Sequence, residues 1–241
     1  MRSLLSQLRM ELAMIARNGE QLLVVIGIPT ILLIFFSNID VLPTSQQSNV
    51  DFLLPGILAL AVMSTAMVSL GIGTGFERSY AVLKRLGATP LGTPRLVMAK
   101  SLAVCVVEVI QCTVLIVFGI FLGWSPDGVS WGQCLIALAL GTLAFAGLGL
   151  LMAGTLKAEL NLAVQNGVYV IMLLIGGVVI PIDSLPGPLR AFGSGLPSGA
   201  LADVLRQALT DAGSHPGTSW FVLILWAIAT PFFAGRWFRW N

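Results

Sequence analysis

The sequence has few charged residues. Asp, Glu, Lys and Arg make up 10% of its 241 positions, whereas a soluble globular domain carries about 25%. Hydrophobic residues account for 56% of the chain, so the remaining polar groups could not cover the surface of a soluble domain of this size. The scarcity of charge therefore excludes a soluble globular protein and predicts one for which lipid is part of the solvent.

Histidine, cysteine and enzyme motifs are also scarce or missing. The single histidine has no partner at ligand spacing, and Cys105, Cys112 and Cys134 all lie in apolar runs, so we interpret these cysteines as packing residues. The cations are divided among several short segments, which excludes a nucleic-acid-binding surface. Because no P-loop, zinc-protease or nucleophile-elbow motif occurs, we predict neither an enzyme nor a cofactor on this chain.

Apolar runs fill most of the sequence. They predict one transmembrane domain, an all-α integral membrane protein with six transmembrane helices. The predicted spans are residues 22–36, 52–75, 96–124, 131–155, 162–182 and 220–235. Ahead of them, residues 2–20 place Leu and Ile on one face and most Arg and Glu elsewhere, which is typical of an interfacial helix lying along the membrane.

The distribution of cations predicts the orientation of these spans. With the six spans drawn, all but Arg190 and Arg206 of the 13 Lys and Arg lie on the side of the N-terminus. Since cytoplasmic loops carry an excess of Lys and Arg, both termini are predicted to be cytoplasmic.

The longest polar interruption in the first two-thirds of the chain is residues 75–100. It contains five cations, namely Arg78, Lys84, Arg85, Arg95 and Lys100. An apolar stripe at helical spacing predicts a short amphipathic helix within it, formed by Phe76, Tyr80, Leu83 and Leu86. Gly87 and Pro90 are predicted to end this helix, and Thr93-Pro94 to start the next one. We interpret residues 76–92 as the segment through which another protein moves this one; the alternative is that the cations only anchor the chain at the membrane.

The segment of residues 183–217 is the longest one predicted to be external. It contains two apolar half-helix candidates, residues 185–192 and 201–209, which are too short to span a bilayer. Segments of this length dip into the membrane from one side or lie on it. We therefore predict an external re-entrant half-helix pair between spans five and six, lining the outer mouth of a pathway.

Glu108 is the only acidic residue deep within a predicted span, and Gln111 lies one turn further on. An intramembrane carboxylate is costly and marks a functional candidate. Three roles remain open for it: a cavity-facing group, a proton carrier, or a structural hydrogen bond between helices.

Two of these segments resemble a known family, the type-2 ABC transporter permeases, and within it the subfamily of daunorubicin-type drug exporters. Glu77-Arg78 followed by LKRLGATPL at residues 83–91 is similar to the coupling segment between spans two and three of that family. The external segment is similar to the motif between spans five and six, through Leu185-Pro186, Leu189-Arg190, Leu196-Pro197 and Ala202-Asp203-Val204-Leu205-Arg206. Ser79, Tyr80 and Ala81 depart from the pattern, because many members have another acidic residue and Gly-Thr there.

The resemblance implies a multi-pass permease subunit in the bacterial plasma membrane, paired with a second permease copy or homologue. Two copies of an ABC ATP-binding subunit would complete the assembly and would hold ATP and Mg. The implied ATPase-coupling residues are Phe76, Glu77, Arg78, Tyr80, Leu83, Lys84, Arg85, Leu86, Thr89, Pro90 and Leu91. Candidates for an external gate are Pro186, Arg190, Pro197, Asp203 and Arg206, and Glu108 and Gln111 are the candidates for a cavity.

The apolar spans favour export of a hydrophobic or amphipathic small molecule, drug-like or lipid-like, with membrane lipid as a further contact. One alternative cargo is a polysaccharide or lipid-linked glycan. Another class of function is an ion-coupled secondary transporter, for which Glu108 would be the coupling site. A third is a scaffold that binds its ATPase without transporting anything.

Overall fold

The computed structural model describes residues 2–39, 49–87, 92–180, 182–210 and 216–238. This part of the chain is helical and contains no β-strand, which confirms the all-α class. Its α-helices are α1 (Arg2–Arg17), α2 (Gly19–Leu22), α3 (Ile28–Ser37), α4 (Asn49–Val62), α5 (Leu70–Ser79), α6 (Val82–Gly87), α7 (Gly92–Phe121), α8 (Trp131–Thr155), α9 (Ala158–Ile175), α10 (Gly187–Ser194), α11 (Pro197–Thr210) and α12 (Pro216–Trp237). Two wide π-helical turns, Leu23–Gly27 and Met63–Ser69, and a 3-10 turn, Ile182–Ser184, also occur.

Five helices of the described part are long and apolar enough to cross a membrane, where the sequence predicts six. They are Asn49–Ser79, Met98–Phe121, Trp131–Thr155, Ala158–Ile175 and Gly217–Trp237. The predicted first span corresponds to a shorter apolar helix, Leu23–Ser37. The protein is therefore a multi-pass membrane protein whose first apolar helix is shorter than the others.

The continuous helix Asn49–Ser79 lies at the centre of the fold. It consists of α4, the second π-helical turn and α5. Of its most apolar stretch of 18 residues, 89% is buried, whereas the corresponding value for the other four long helices is 22–39%. Helices α3, α7, α8, α9 and α11 pack against it. The approach of α8 is closest at Gly149, where a Cβ atom would lie 2.5 Å from the carbonyl oxygen of Met67. Small residues permit such contact between membrane helices.

The predicted interfacial helix corresponds to α1, which packs with a different face from the one expected. It ends at Arg17 and contacts α7. Gln7 and Glu11 are its buried side chains, whereas Leu5 and Met14 are about half exposed. The polar side thus faces protein because, as described below, Glu11 has a cationic partner on α7, and apolar residues remain on the outside.

The single amphipathic helix predicted from Phe76 to Leu86 is wrong. Helix α5 continues to Ser79, the chain turns at Tyr80 and Ala81, and α6 then begins at Val82. Ala81 has a φ of 57°, a conformation that only a few non-glycine residues adopt. Because of this turn, Phe76 and Leu83 lie on different helices, so the predicted stripe does not follow one helical face. The next helix begins at Gly92, one residue before the predicted start.

The helix of the predicted fifth span is shorter than expected, and the predicted half-helix pair is shifted. Helix α9 ends at Ile175, before residue 182, because Gly176 and Gly177 follow and Gly177 has a φ of 67°. The two half-helices are α10 and α11, and they differ in environment. Helix α10 is largely exposed, whereas α11 is buried between α4, α8 and α12.

Candidate functional site

The end of α5 is attached to the end of α8 through Arg78. The guanidinium group of Arg78 donates hydrogen bonds to the carbonyl oxygens of Gly154 and Leu156. Gly154 lies in the last turn of α8 and Leu156 is its C-cap residue. A cation at this position complements the helix dipole and satisfies carbonyls that have no partner within the helix. In this conformation Arg78 therefore joins two long helices.

Glu77, the neighbouring residue, belongs to a cluster of three charges. The Lys100 Nζ lies 2.7 Å from Glu77 Oε1 and 3.2 Å from Glu11 Oε1. Gln7 Nε2 donates to Glu11 Oε1 at 2.8 Å. The cluster connects α1, α5 and α7, and about a tenth of the Lys100 and Glu11 side chains is exposed. It lines a cavity of about 220 Å³ between these helices.

Three of the predicted coupling residues are exposed in the described part of that segment. Tyr80 is 69% exposed, and its ring stacks with that of Phe76 at a centroid distance of 6.3 Å. Lys84 and Arg85 are exposed on α6. Leu83, on the opposite side of α6, is buried. We call Tyr80, Lys84 and Arg85 the α6 surface.

For four of the predicted coupling residues the structure describes no side chain. The backbone of Leu86 lies in α6. Thr89, Pro90 and Leu91 lie outside the described residues.

The two cavity candidates face different surroundings. Gln111 is fully buried; its Oε1 accepts a hydrogen bond from Thr65 at 2.8 Å, and its Nε2 donates to the carbonyl oxygen of Val25. Val25 and Thr65 lie in the two π-helical turns, so Gln111 bridges them. Glu108 is instead next to Thr142 of α8, whose Oγ1 lies 2.7 Å from Glu108 Oε2. The structure does not bring Glu108 and Gln111 into one cavity.

The external candidates are likewise divided between two environments. Pro186 is the N-cap residue of α10 and Arg190 is exposed on that helix. Pro197 begins α11 and is buried, together with Asp203 and Arg206 further along the helix. The five residues therefore do not form one exposed surface.

Arg206 has a buried guanidinium group that contacts three main-chain carbonyl groups. Nη2 donates to Gly177 at 2.5 Å and to Val178 at 3.3 Å, and Nε donates to Phe52 at 3.4 Å. Its Cζ also lies 4.1 Å from the centre of the Phe52 ring. Burial lowers the pKa of Arg206 to about 10, while the charge of Asp203 raises it. The group thus stays charged near pH 7 and joins α11 to the central helix.

Sequence reasoning missed a pair of buried amides on α9. Asn161 and Gln165 are fully buried, and Gln165 Nε2 donates to Asn161 Oδ1 at 2.7 Å. Asn161 Nδ2 donates to the carbonyl oxygen of Gly71 at 3.1 Å. A Cβ atom at Gly71 or Gly75 would lie 2.4 Å from these amides. The signal in the sequence was a matching spacing of four residues, in both the glycine pair and the amide pair.

Nothing in the described part of the chain resembles a metal centre. No group of three or more His, Cys, Asp or Glu residues there is arranged to hold a metal ion. The ion pairs and buried amides described above hold helices together, and the apolar cavities offer surfaces that a ligand could contact.

The comparisons with known proteins agree with this arrangement. The chain matches the family model described as ABC-2 family transporter protein over residues 28–235. It is 26% identical over 193 residues to the putative transport permease YvfS of Bacillus subtilis, covering 78% of each chain. It is 24% identical over 138 residues to the probable multidrug ABC transporter permease YbhR of Escherichia coli K12, covering 56% of this chain and 37% of that protein.

A eukaryotic relative extends the same match. ABC transporter G family member 20 of Dictyostelium discoideum is 28% identical over 192 residues, which are 77% of this chain and 26% of that protein. The family model covers well over half of the chain. The chain therefore belongs to the ABC-2 family of transporter proteins and is a membrane permease subunit of an ABC transporter.

Proposed function

We propose that this permease exports a hydrophobic or amphipathic small molecule across a bacterial plasma membrane, driven by ATP that separate subunits hydrolyse. The working assembly has two permease chains, identical or homologous, and two ABC ATP-binding subunits that hold ATP and Mg. Both termini and the α6 surface face the cytoplasm. The observation that carries the proposal is the α6 surface, because it is exposed while the residues beside it are attached to the long helices.

The first step of the argument concerns the transfer of motion. Helix α6 packs against α5 and α7, with Leu83 buried beneath it. Just before α6, Glu77 is ion-paired to Lys100 of α7, and Arg78 is hydrogen-bonded to the end of α8. A displacement of α6 by an ATP-binding subunit would therefore move three long helices. Such coupling requires that the subunit binds two permease states with different free energies.

The second step concerns the cargo. A cavity of about 260 Å³ between the central helix, α7, α8 and α12 is lined mostly by apolar residues, among them Leu70, Leu143, Leu150 and Phe238. Such walls suit a hydrophobic or amphipathic molecule better than a sugar chain, which needs many hydrogen-bonding partners. The description of the E. coli relative as a probable multidrug permease supports the same class of cargo.

A binding experiment tests the first step. The tagged chain is co-expressed with the ABC ATP-binding subunit proposed as its partner, and the amount of that subunit that co-purifies is measured. Charge reversal of both Lys84 and Arg85 to Glu is expected to reduce recovery at least tenfold. The control reverses Lys157 and Arg236 to Glu. Both are exposed and are predicted to lie on the same side of the membrane, so the change of charge there is identical.

Two results would contradict the proposal. Equal recovery with both double variants would show that the α6 surface is not the docking site. In proteoliposomes containing the complex, ATP turnover without movement of any fluorescent amphiphile would favour a scaffold role over export.

A further inference from the structure

A pocket of about 300 Å³ lies between α7 and α8, with Val62 of the central helix at its base. It is separate from the cavities described above, because it shares no lining residue with the cavities of 220 and 260 Å³. Its polar lining residues include Glu108, Thr113 and Thr142. All three cysteines of the chain also line it, at positions 105, 112 and 134. We call it the Glu108 pocket.

Glu108 is the reason to treat this pocket as a binding site. The residue is 7% exposed and lies near the middle of α7. Its Oε1 is buried and has no hydrogen-bond partner among the described residues. No ion pair of Glu108 is found among the described residues. A buried carboxylate without a partner is costly, and such groups in membrane proteins pair with something.

Thr142 does not supply the missing hydrogen-bond donor for Glu108 Oε1. Its Oγ1 lies 2.7 Å from Glu108 Oε2 and 2.8 Å from the carbonyl oxygen of Leu138. One hydroxyl group has a single proton, so it can donate to only one of these oxygens at a time. Even when it donates to Glu108, Oε1 still lacks a donor. When Glu108 is ionised, the pocket therefore offers a ligand one unpartnered acceptor with negative charge.

The rest of the lining defines the remaining part of that ligand. Apolar side chains from both helices form the walls: Val109, Ile116, Leu135, Leu138 and Ala139. Trp131 lies on the lining and is 47% exposed, so its ring is available to a cation or to an aromatic group. A ligand that fits must carry a positively charged N–H donor next to a hydrophobic body.

We propose that the Glu108 pocket binds lipophilic amines in their protonated form. The ammonium group donates a hydrogen bond to Glu108 Oε1 and neutralises its charge, while the hydrophobic body lies between α7 and α8. Charge-assisted hydrogen bonds of this kind are about twice as strong as neutral ones. This inference rests on the proposed export function in that it assigns the class of cargo, although binding itself needs no ATP-binding subunit.

A matched pair of probes tests the proposal. The full chain is placed in lipid nanodiscs without its ATPase, and fluorescence anisotropy measures its affinity for N-dansyl-1,12-diaminododecane and for 12-(dansylamino)dodecan-1-ol. Empty nanodiscs give the partitioning background. The two probes differ only in the terminal ammonium or hydroxyl group. We expect the ammonium probe to bind at least tenfold more tightly, and Glu108→Gln to remove that preference. The control Glu159→Gln, an exposed carboxylate on α9, is expected to retain it.

A second readout comes from the cysteines. Every cysteine of the chain lines this pocket, so any thiol that N-ethylmaleimide modifies belongs to the pocket. Cys105 is the exposed one of the three. The ammonium probe is expected to slow the modification of Cys105 in the unaltered chain but not in Glu108→Gln. A variant that fills the pocket, Ala139→Phe, is expected to weaken binding of both probes. Ile136→Phe is the control and is not expected to weaken binding, because Ile136 is exposed on the same helix but does not line the pocket.

The possible outcomes separate the two proposals. Equal affinity for both probes in the unaltered chain, or a preference that survives Glu108→Gln, would overturn the assignment of the pocket. If Glu108→Gln does not fold, unchanged binding in Ala139→Phe would overturn it equally. Specific binding of the ammonium probe without ATP-driven movement in the full complex would leave the pocket assigned and would contradict export instead.

Discussion

Replacement of Arg206 by Met is expected to destabilise the fold, although the residue lies in a segment predicted to be external. Methionine approximates the aliphatic part of the side chain but removes the guanidinium group. Three main-chain carbonyl groups, of Phe52, Gly177 and Val178, then lose a donor within the protein interior. Buried acceptors without a partner cost free energy because they were also removed from water.

The hydrogen-bond distances give the size of the effect. Only the bond to Gly177, at 2.5 Å, is short, and those to Val178 and Phe52, at 3.3 and 3.4 Å, are near the limit of a hydrogen bond. We count about 2 kcal/mol for the short bond and about 0.5–1 kcal/mol for each long one. The lost contact with the Phe52 ring adds about 1 kcal/mol. The expected loss of unfolding free energy is therefore about 4–5 kcal/mol.

The assay is unfolding in mixed micelles with increasing mole fraction of SDS, followed by circular dichroism. Arg190→Met is the matched control, because Arg190 belongs to the same segment between α9 and α12 but lies on the exposed helix α10. We expect this control to change stability by less than about 1 kcal/mol. Arg206→Lys is expected to fall between the two, because a lysine keeps the charge but loses the planar fork. Equal stability of Arg206→Met and Arg190→Met would refute the reasoning.

Two further predictions concern the packing of α8 and its attachment to α5. Gly149→Ala is expected to cost about 1–3 kcal/mol in the same assay, because the added Cβ would lie 2.5 Å from the carbonyl oxygen of Met67. The control is Gly167→Ala, since nothing lies within 4 Å of a Cβ atom built there. Equal effects of the two substitutions would contradict the close approach of α8 to the central helix. Arg78→Met is expected to leave binding of the ATP-binding subunit unchanged but to lower the amount of cargo moved per ATP hydrolysed, since the attachment of α5 to α8 is lost. An unchanged ratio would show that this attachment carries no motion.

The sequence predicts the apolar helices well because lipid imposes one strong rule on composition. About 20 consecutive apolar residues suffice to cross a bilayer, and such runs can be counted. The apolar run before Pro181 predicts a helix that continues to residue 182, but α9 ends at Ile175. The consecutive glycines at 176 and 177 are the signal for this earlier end, because a left-handed glycine terminates a helix.

The turn at Ala81 could not have been predicted in this way. Alanine favours helices, and its side chain carries no signal for the positive φ that Ala81 adopts. The prediction of one amphipathic helix therefore followed the spacing of apolar residues across a point where the chain changes direction. Leu83 and Tyr80 consequently have opposite exposure.

The burial of polar side chains is the other feature that the sequence does not predict. A short helix with Asp203 and Arg206 is as compatible with a membrane surface as with an interior position. What decides between them is the set of carbonyl groups that the chain supplies from residues 52, 177 and 178, which are distant in sequence. The amides of Asn161 and Gln165 depend in the same way on a neighbouring helix with glycines.

The wide turn Met63–Ser69 has a consequence for how the length of this chain can vary among relatives. A π-helical turn accommodates one more residue than the α-helical turn that it replaces. Loss of one residue there would convert the segment to ordinary α-helix and leave the residues on both sides facing their present neighbours. The same deletion elsewhere in Asn49–Ser79 would rotate all following side chains by about 100° about the helix axis. Single-residue gaps in this most buried helix should therefore concentrate in the segment that Gln111 bridges to the first wide turn.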